Sequence, residues 1–266
     1  MIDTSEKKRL LSELVRDFSK DFGSEWKRTL QLQQDVIRDY GFEGMQLILK
    51  VEQGLDAVAL ENTPESCPWR HLAGNDVQSI IREVFSPIHH KLPTLIDMLC
   101  QRCRFIFAIN EHGSWQLGYF LNATTNEGLS HYRLYIGGQP NLSPILPPCL
   151  QQLDWKIPMP LAELAAIHDG FGGFGGNLVL PIRELTTPDE YMAPDEIGST
   201  PWINYQPTDL LMFFTDSAGN GQCFHRRSRL DPEPMTVDWD HETRELSAEE
   251  AFFSFINCRL SEIDEE

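Results

Sequence analysis

The chain has 266 residues, room for one large domain or two modest ones and for a core that needs no disulfide staples. With 41% hydrophobic, 23% charged and 10% aromatic residues it is an ordinary globular mixture, which argues against a largely disordered chain. Lys and Arg number 22 against 40 Asp and Glu, a formal net charge of −18, so neither nucleic acid nor an anionic membrane surface is an expected partner.

The first hundred residues read as helical. Leu10, Leu14, Phe18 and Phe22 recur at a four-residue spacing, and Trp26, Leu30, Ile37 and Tyr40 share one side of a second helix that Gly41 is placed to end. Residues 45–60 continue apolar around Gly54, and Pro64 and Pro68 break the chain. Further helices are predicted over 76–85, on Val77, Ile80, Ile81 and Val84, and over 93–100. The period then changes. Phe105, Phe107 and Ile109 alternate, Glu111-His112-Gly113-Ser114 is a turn, and Trp115, Leu117, Tyr119 and Leu121 alternate again, which predicts a hairpin with a third strand over 132–136. Gly137-Gly138 and the proline-rich run 140–148 mark the expected domain boundary.

Beyond residue 150 the pattern predicts a compact α+β unit. A short helix over 161–168 follows Pro158 and Pro160 and can be ended by Gly170. Strands are expected over 177–182, 210–215, 222–225 and 236–239, the second of them buried because Leu-Leu-Met-Phe-Phe leaves no polar face. A last helix begins at a capping box, Ser247 with Glu250, ahead of Phe252, Phe255, Ile256 and Leu260. The fold class is therefore α+β: a helical N-terminal region over 1–145 with a small antiparallel hairpin sheet at about 104–137, then an α+β domain over 150–260 whose mixed or antiparallel sheet is packed by helices.

Charge divides with the chain. Residues 1–150 carry 15 basic and 18 acidic side chains, a net of −3, whereas 151–266 carry 7 and 22, a net of −15. The second half should attract a basic partner and repel an acidic one. The first fifteen residues lack the apolar segment and cleavage site of a secretory signal, and no stretch reaches the roughly 18–20 apolar residues that span a bilayer. The six Cys read as reduced thiols, and a cytoplasmic location is expected.

Motifs that could carry chemistry are thin. Gly170-Phe171-Gly172-Gly173-Phe174-Gly175 has the letters of a dinucleotide fingerprint, but that mechanism needs a strand before and a helix after, and here the order is reversed. The run reads instead as a helix C-cap feeding a tight loop with two exposed or half-buried phenylalanines. Cys100 and Cys103, with His89 and His90 nearby, could hold half a zinc site; no second C-x-x-C completes it, and two cysteines packed near a helix end is the preferred reading. Ser217 lacks a nucleophile elbow, and Asp238, Asp240, His241 and Glu242 read as a wet strand face before a metal site. No catalytic residue, cofactor or metal is assigned. Segment 186–202 is long, acidic and proline-punctuated, with Tyr191, Met192 and Trp202 interspersed; it reads equally as a partner-binding loop or a solvated connector. The candidate partner-binding residues are Phe171, Phe174, Asp189, Glu190, Tyr191, Asp195, Glu196 and Trp202.

From about residue 150 to 258 the chain resembles the SUKH superfamily. The resemblance rests on Pro158-x-Pro160-Leu161 and Ile167-His168-Asp169-Gly170-Phe171-Gly172, then on Leu210-Leu211-x-Phe213-Phe214-x-Asp216-x-x-Gly219-Asn220 and Cys223-Phe224. Val237-x-Trp239-Asp240-His241-Glu242-Thr243 and the closing Phe252, Phe253 and Phe255 complete it. It covers about two-fifths of the chain and leaves the N-terminal region unmatched. It implies a non-enzymatic α+β binding domain. Many bacterial members are immunity proteins that neutralise a toxin, and fungal relatives regulate cell-wall assembly. The expectation is thus an immunity or antitoxin-like protein that blocks a basic cognate toxin by direct binding, with a helical N-terminal half that either extends the binding surface or forms a homodimer. The alternative is a regulatory scaffold binding endogenous proteins.

Overall fold

The structure is a computed structural model and describes residues 26–53, 55–111, 113–124, 130–173, 178–191, 206–215, 221–228, 236–239, 244–245 and 252–262. It divides into two compact units, one drawn from 1–80 and 99–134, the other from 81–98 and 135–262. The expected helix over 10–22 and the capping box at Ser247 lie outside the described residues.

In the first unit, helix α1 (Trp26–Gln53) is interrupted at Gly41, whose backbone turns to φ 55°, ψ −128°. Gly41 does leave the right-handed helix, as a terminating glycine would, but a second helical segment starts at once, so the apolar stretch after residue 45 continues as helix. Met45, Ile48 and Leu49 are buried. Phe42 sets its ring against Phe105 and Phe107 of β2 (Cys103–Glu111), at centroid distances of 6.1 and 6.3 Å. Strand β2 pairs antiparallel with β1 (Ala57–Ala59) on one side and β3 (Ser114–Thr124) on the other. The turn between β2 and β3 uses Gly113 at φ +89°, where its N–H donates to Asn110 Oδ1 at 3.2 Å. Helix α2 (Val77–Val84) begins in this unit and ends in residues of the second; it opens at Asp76, whose carboxylate accepts the Ser79 N–H at 3.0 Å and the Ser79 hydroxyl at 2.6 Å. Helix α3 (Pro93–Arg102) has its residues 93–98 in the second unit and 99–102 in the first, and it leads directly into β2.

The second unit is built on strands that each return beside the previous one. The end of β4 (Ser130–Gly138) pairs with β5 (Phe171–Gly173), β5 with β6 (Leu178–Val179), β6 with β7 (Leu210–Thr215), β7 with β8 (Gly221–His225), β8 with β9 (Thr236–Trp239), and β9 with β10 (Arg244–Glu245). Every described pair is antiparallel, so the sheet is not mixed. The physical reason is the length of several connections: five residues between β7 and β8, for example, cannot make the crossover of a dozen or more that parallel neighbours need. Strand β7 is buried at all six positions. On its surface Phe213 packs against Phe224 of β8 (4.4 Å) and Phe252 of α7 (Phe252–Arg259; 5.0 Å), forming the centre of an aromatic core. The predicted strand over 177–182 is shortened because Pro181 and the 3₁₀ turn Ile182–Glu184 end it, although Leu180 N–H still donates to Phe213 at 2.8 Å. The connection between β4 and β5 contains α4 (Pro148–Gln152) and α5 (Met159–Ala165), and α6 (Pro188–Tyr191) follows β6.

Candidate functional site

The ionisable residues of the Ile167-His168-Asp169-Gly170 run are committed to the fold. Gly137 and Gly138 let β4 lie flush against them: a Cβ at Gly137 would collide with the His168 ring, and one at Gly138 with the Asp169 carbonyl oxygen. Gly138 N–H donates to the Gly170 carbonyl at 2.9 Å. His168 is fully buried, stacked on Phe171 (5.3 Å, 13° between planes) and met edge-on by Phe85 (5.5 Å). Burial pushes its pKa down to about 4, against a smaller upward pull from the Gly138 carbonyl. The imidazole is therefore neutral near pH 7. Because a carbonyl can only accept, the 3.1 Å contact from Nδ1 to Gly138 O places the proton on Nδ1. Asp169 divides its carboxylate between two parts of the chain: Oδ1 accepts the Ile182 N–H at 2.7 Å and Oδ2 accepts from Asn141 Nδ2 at 2.8 Å.

That last bond starts a different kind of surface. Residues 134–153 contain no charged side chain, and 140–148 hold four prolines. The segment is braced at both ends. Asn141 N–H donates to Ala165 of α5 at 2.8 Å; at the other end Leu146 is buried, its carbonyl accepts from Gln151 Nε2 at 2.6 Å, and Pro147 accepts the Gln151 N–H at 3.1 Å. Pro147 holds an extended φ −51°, ψ 148°. Between the braces Leu142 is 81% exposed and Ile145 75% exposed, and Met159 at the start of α5 is 50% exposed. Carboxylates stand at both flanks: Asp169 through Asn141, and Glu190 of α6 beside the Cys149 thiol, which burial first and then this hydrogen bond and charge push to a higher pKa. Glu190 is itself exposed and held by Thr186 Oγ1 at 2.9 Å.

Of the residues expected to bind a partner, Phe171 needs correction. It is completely buried, because β5 is paired on both edges and its ring is enclosed by His168, Phe85 (5.4 Å) and Tyr135 (6.0 Å). Phe174, Asp195, Glu196 and Trp202 lie outside the described residues, whereas Asp189, Glu190 and Tyr191 fall on α6. Sequence reasoning passed over Leu142, Ile145 and Met159. The signal available was the absence of charge around large apolar residues set between prolines, in a run that reads first as a boundary.

Cys103 is buried at the start of β2, its thiol donating to the Phe105 carbonyl at 3.2 Å, and burial pushes its pKa up to about 12. Cys100 is buried in the last turn of α3. Among the described residues, no three His, Cys, Asp or Glu side chains are grouped to hold a metal ion. Ser217 and Asp240, His241 and Glu242 fall outside them. Arg226, in a short basic run, is committed to the fold: it donates to the carbonyls of Leu153 (2.8 Å) and Thr208 (3.2 Å), lies 3.2 Å from Asp209, and sits 5.4 Å over the Trp155 ring. No helix among the described residues is long and apolar enough to cross a membrane. Comparison with protein-family models, with curated proteins and with solved structures yields no match to this chain.

Proposed function

We propose that this protein is a protein-binding module that acts by masking its partner, in the manner of an immunity or antitoxin-like protein neutralising a toxin, and that it makes and breaks no bonds of its own. The observation that carries this reading is the exposure of Leu142, Ile145 and Met159 in a unit whose sequence is strongly acidic. Large apolar side chains held in water gain free energy on being covered, about 25 cal/mol per Å² of apolar surface removed. A net charge of −15 over residues 151–266 speeds encounter with a basic protein and disfavours acidic ones. A toxin that attacks nucleic acid suits this description, since such toxins are commonly basic to engage phosphate.

The resemblance to the SUKH superfamily supports the same reading from an independent direction, and the commitment of His168 and Asp169 to structural hydrogen bonds is compatible with it. Co-expression with the product of the gene beside its own, under conditions where that product alone arrests growth, tests the proposal. A stable complex and restored growth are expected. If the chain neither forms a complex nor rescues growth, and native-cell pull-downs recover only endogenous regulators, the masking of a toxin is refuted in favour of a regulatory scaffold.

A further inference from the structure

We infer that the loop over 141–148 is a preformed docking loop for a basic protein that offers an apolar cleft, with Leu142 and Ile145 as the inserted side chains. The inference rests on the masking reading above and names the part of the surface that performs it.

Three observations converge on this loop. The first is exposure: Leu142 and Ile145 are among the most water-exposed large apolar residues described, while Leu146 next to them is buried. The loop is therefore oriented, with one apolar residue anchoring it inward and two directed outward. The second is rigidity. Prolines at 140, 144, 147 and 148 fix φ along the segment, and hydrogen bonds at Asn141, Leu146 and Pro147 tie its flanks to α5, Asp169 and α4. A loop already ordered before binding loses little conformational entropy in the complex, the same advantage that preorganised inhibitory loops and matured paratopes use.

The third observation is charge, and it selects the occupant. The loop itself carries no ionisable group other than the Cys149 thiol just beyond it, yet Asp169 and Glu190 stand at its two ends. An apolar centre with a half-buried carboxylate at one end and an exposed one at the other, in a strongly acidic stretch of chain, suits a partner that sets basic groups around an apolar pocket. A second copy of this chain would bring the same carboxylates against themselves, and an anionic bilayer would be repelled in the same way. Both are therefore disfavoured as occupants.

The test places a photo-crosslinker in the loop of the full-length protein, Ser143→p-benzoylphenylalanine, irradiates native cells, and identifies the adduct. The captured protein is then purified and titrated against wild type. A basic protein is expected, with binding weakened at least tenfold by Leu142→Ser combined with Ile145→Ser and with association slowed two- to fivefold by Glu190→Gln at low salt. An unchanged thermal midpoint for the double variant shows that its effect is on binding. An adduct with a second copy, with lipid or with an acidic protein overturns the inference, as does the absence of any adduct. If wild type binds a basic toxin and the double variant binds it equally well, the docking loop is refuted while the masking function stands. If wild type binds no such protein, the masking function itself fails.

Discussion

Two stretches separated by only three residues, Gly137-Gly138 and the segment from Leu142 to Ile145, meet opposite fates. The first lies where the ring of His168 and the backbone of Asp169 come as close as a missing side chain allows. The second projects two large aliphatic side chains into water. The contrast shows that residue type alone does not decide burial. A histidine can be fully enclosed because its Nδ1 finds a carbonyl and its faces find aromatic rings, whereas a leucine remains outside when prolines and flanking hydrogen bonds hold its backbone away from the core. The buried stretch serves the fold, and the exposed one is available for recognition.

Substitutions can break this contrast at graded cost. The largest effect is expected for Gly138→Ala, whose new methyl group meets a backbone carbonyl that cannot step aside; chemical denaturation should show a loss of about 3 kcal/mol. Comparable in size is the response to acid. His168 is held near pKa 4 in the folded protein against about 6.5 when unfolded, so below pH 6.5 the unfolded chain takes up a proton that the folded chain refuses. Stability from this group is complete above pH 6.5, falls as pH drops towards 4 and then levels off, a total of about 3 kcal/mol at about 1.4 kcal/mol per pH unit. NMR of the imidazole should show a neutral ring protonated at Nδ1 down to about pH 5. Titration of that ring near pH 6.5 in the folded protein would contradict its enclosure.

Smaller effects sharpen the same comparison. Asp169→Ala leaves the Ile182 N–H and the Asn141 amide without their acceptor and should cost about 2 kcal/mol. Asn141→Ala removes one side-chain bond at the loop's first brace, about 1 kcal/mol by thermal melts, and should raise hydrogen exchange in 141–146. The combined Leu142→Ser and Ile145→Ser change is the smallest, within about 0.5 kcal/mol, because neither side chain is covered in the free protein. A larger loss in calorimetry would mean these residues belong to the core after all.

Much of the architecture is legible in local pattern. Leu210 to Thr215 reads as a buried strand because its run Leu-Leu-Met-Phe-Phe leaves no polar face, and it is one. Alternation of Val237 and Trp239 with Asp238 finds β9 at its observed bounds. The period change near residue 103 marks the passage from α3 to β2, where backbone geometry switches from 3.6 residues per turn to two. Other features escape for equally physical reasons. Gly41 signals a helix end but says nothing about whether a new helix nucleates beyond it. The glycines around Phe171 suggest a loose surface loop, yet pairing of β5 to strands from distant sequence positions encloses the ring. The candidate site was least visible, since a proline-rich run is the same string of letters whether it tethers domains or presents side chains.

Composition and periodicity alone determined the α+β class, the uneven distribution of negative charge and the positions of the strongest helices and strands, because those depend on each residue and its near neighbours. Tertiary structure alone decided that the sheet is antiparallel throughout its described pairs, that His168 and Phe171 are interior, and that Leu142 and Ile145 face water between two carboxylates. These outcomes turn on contacts between residues tens of positions apart: β4 meeting the chain after α5, Asn141 meeting Asp169, Cys149 meeting Glu190. Such contacts are selected by the packing of the whole unit, and local propensity carries no record of them.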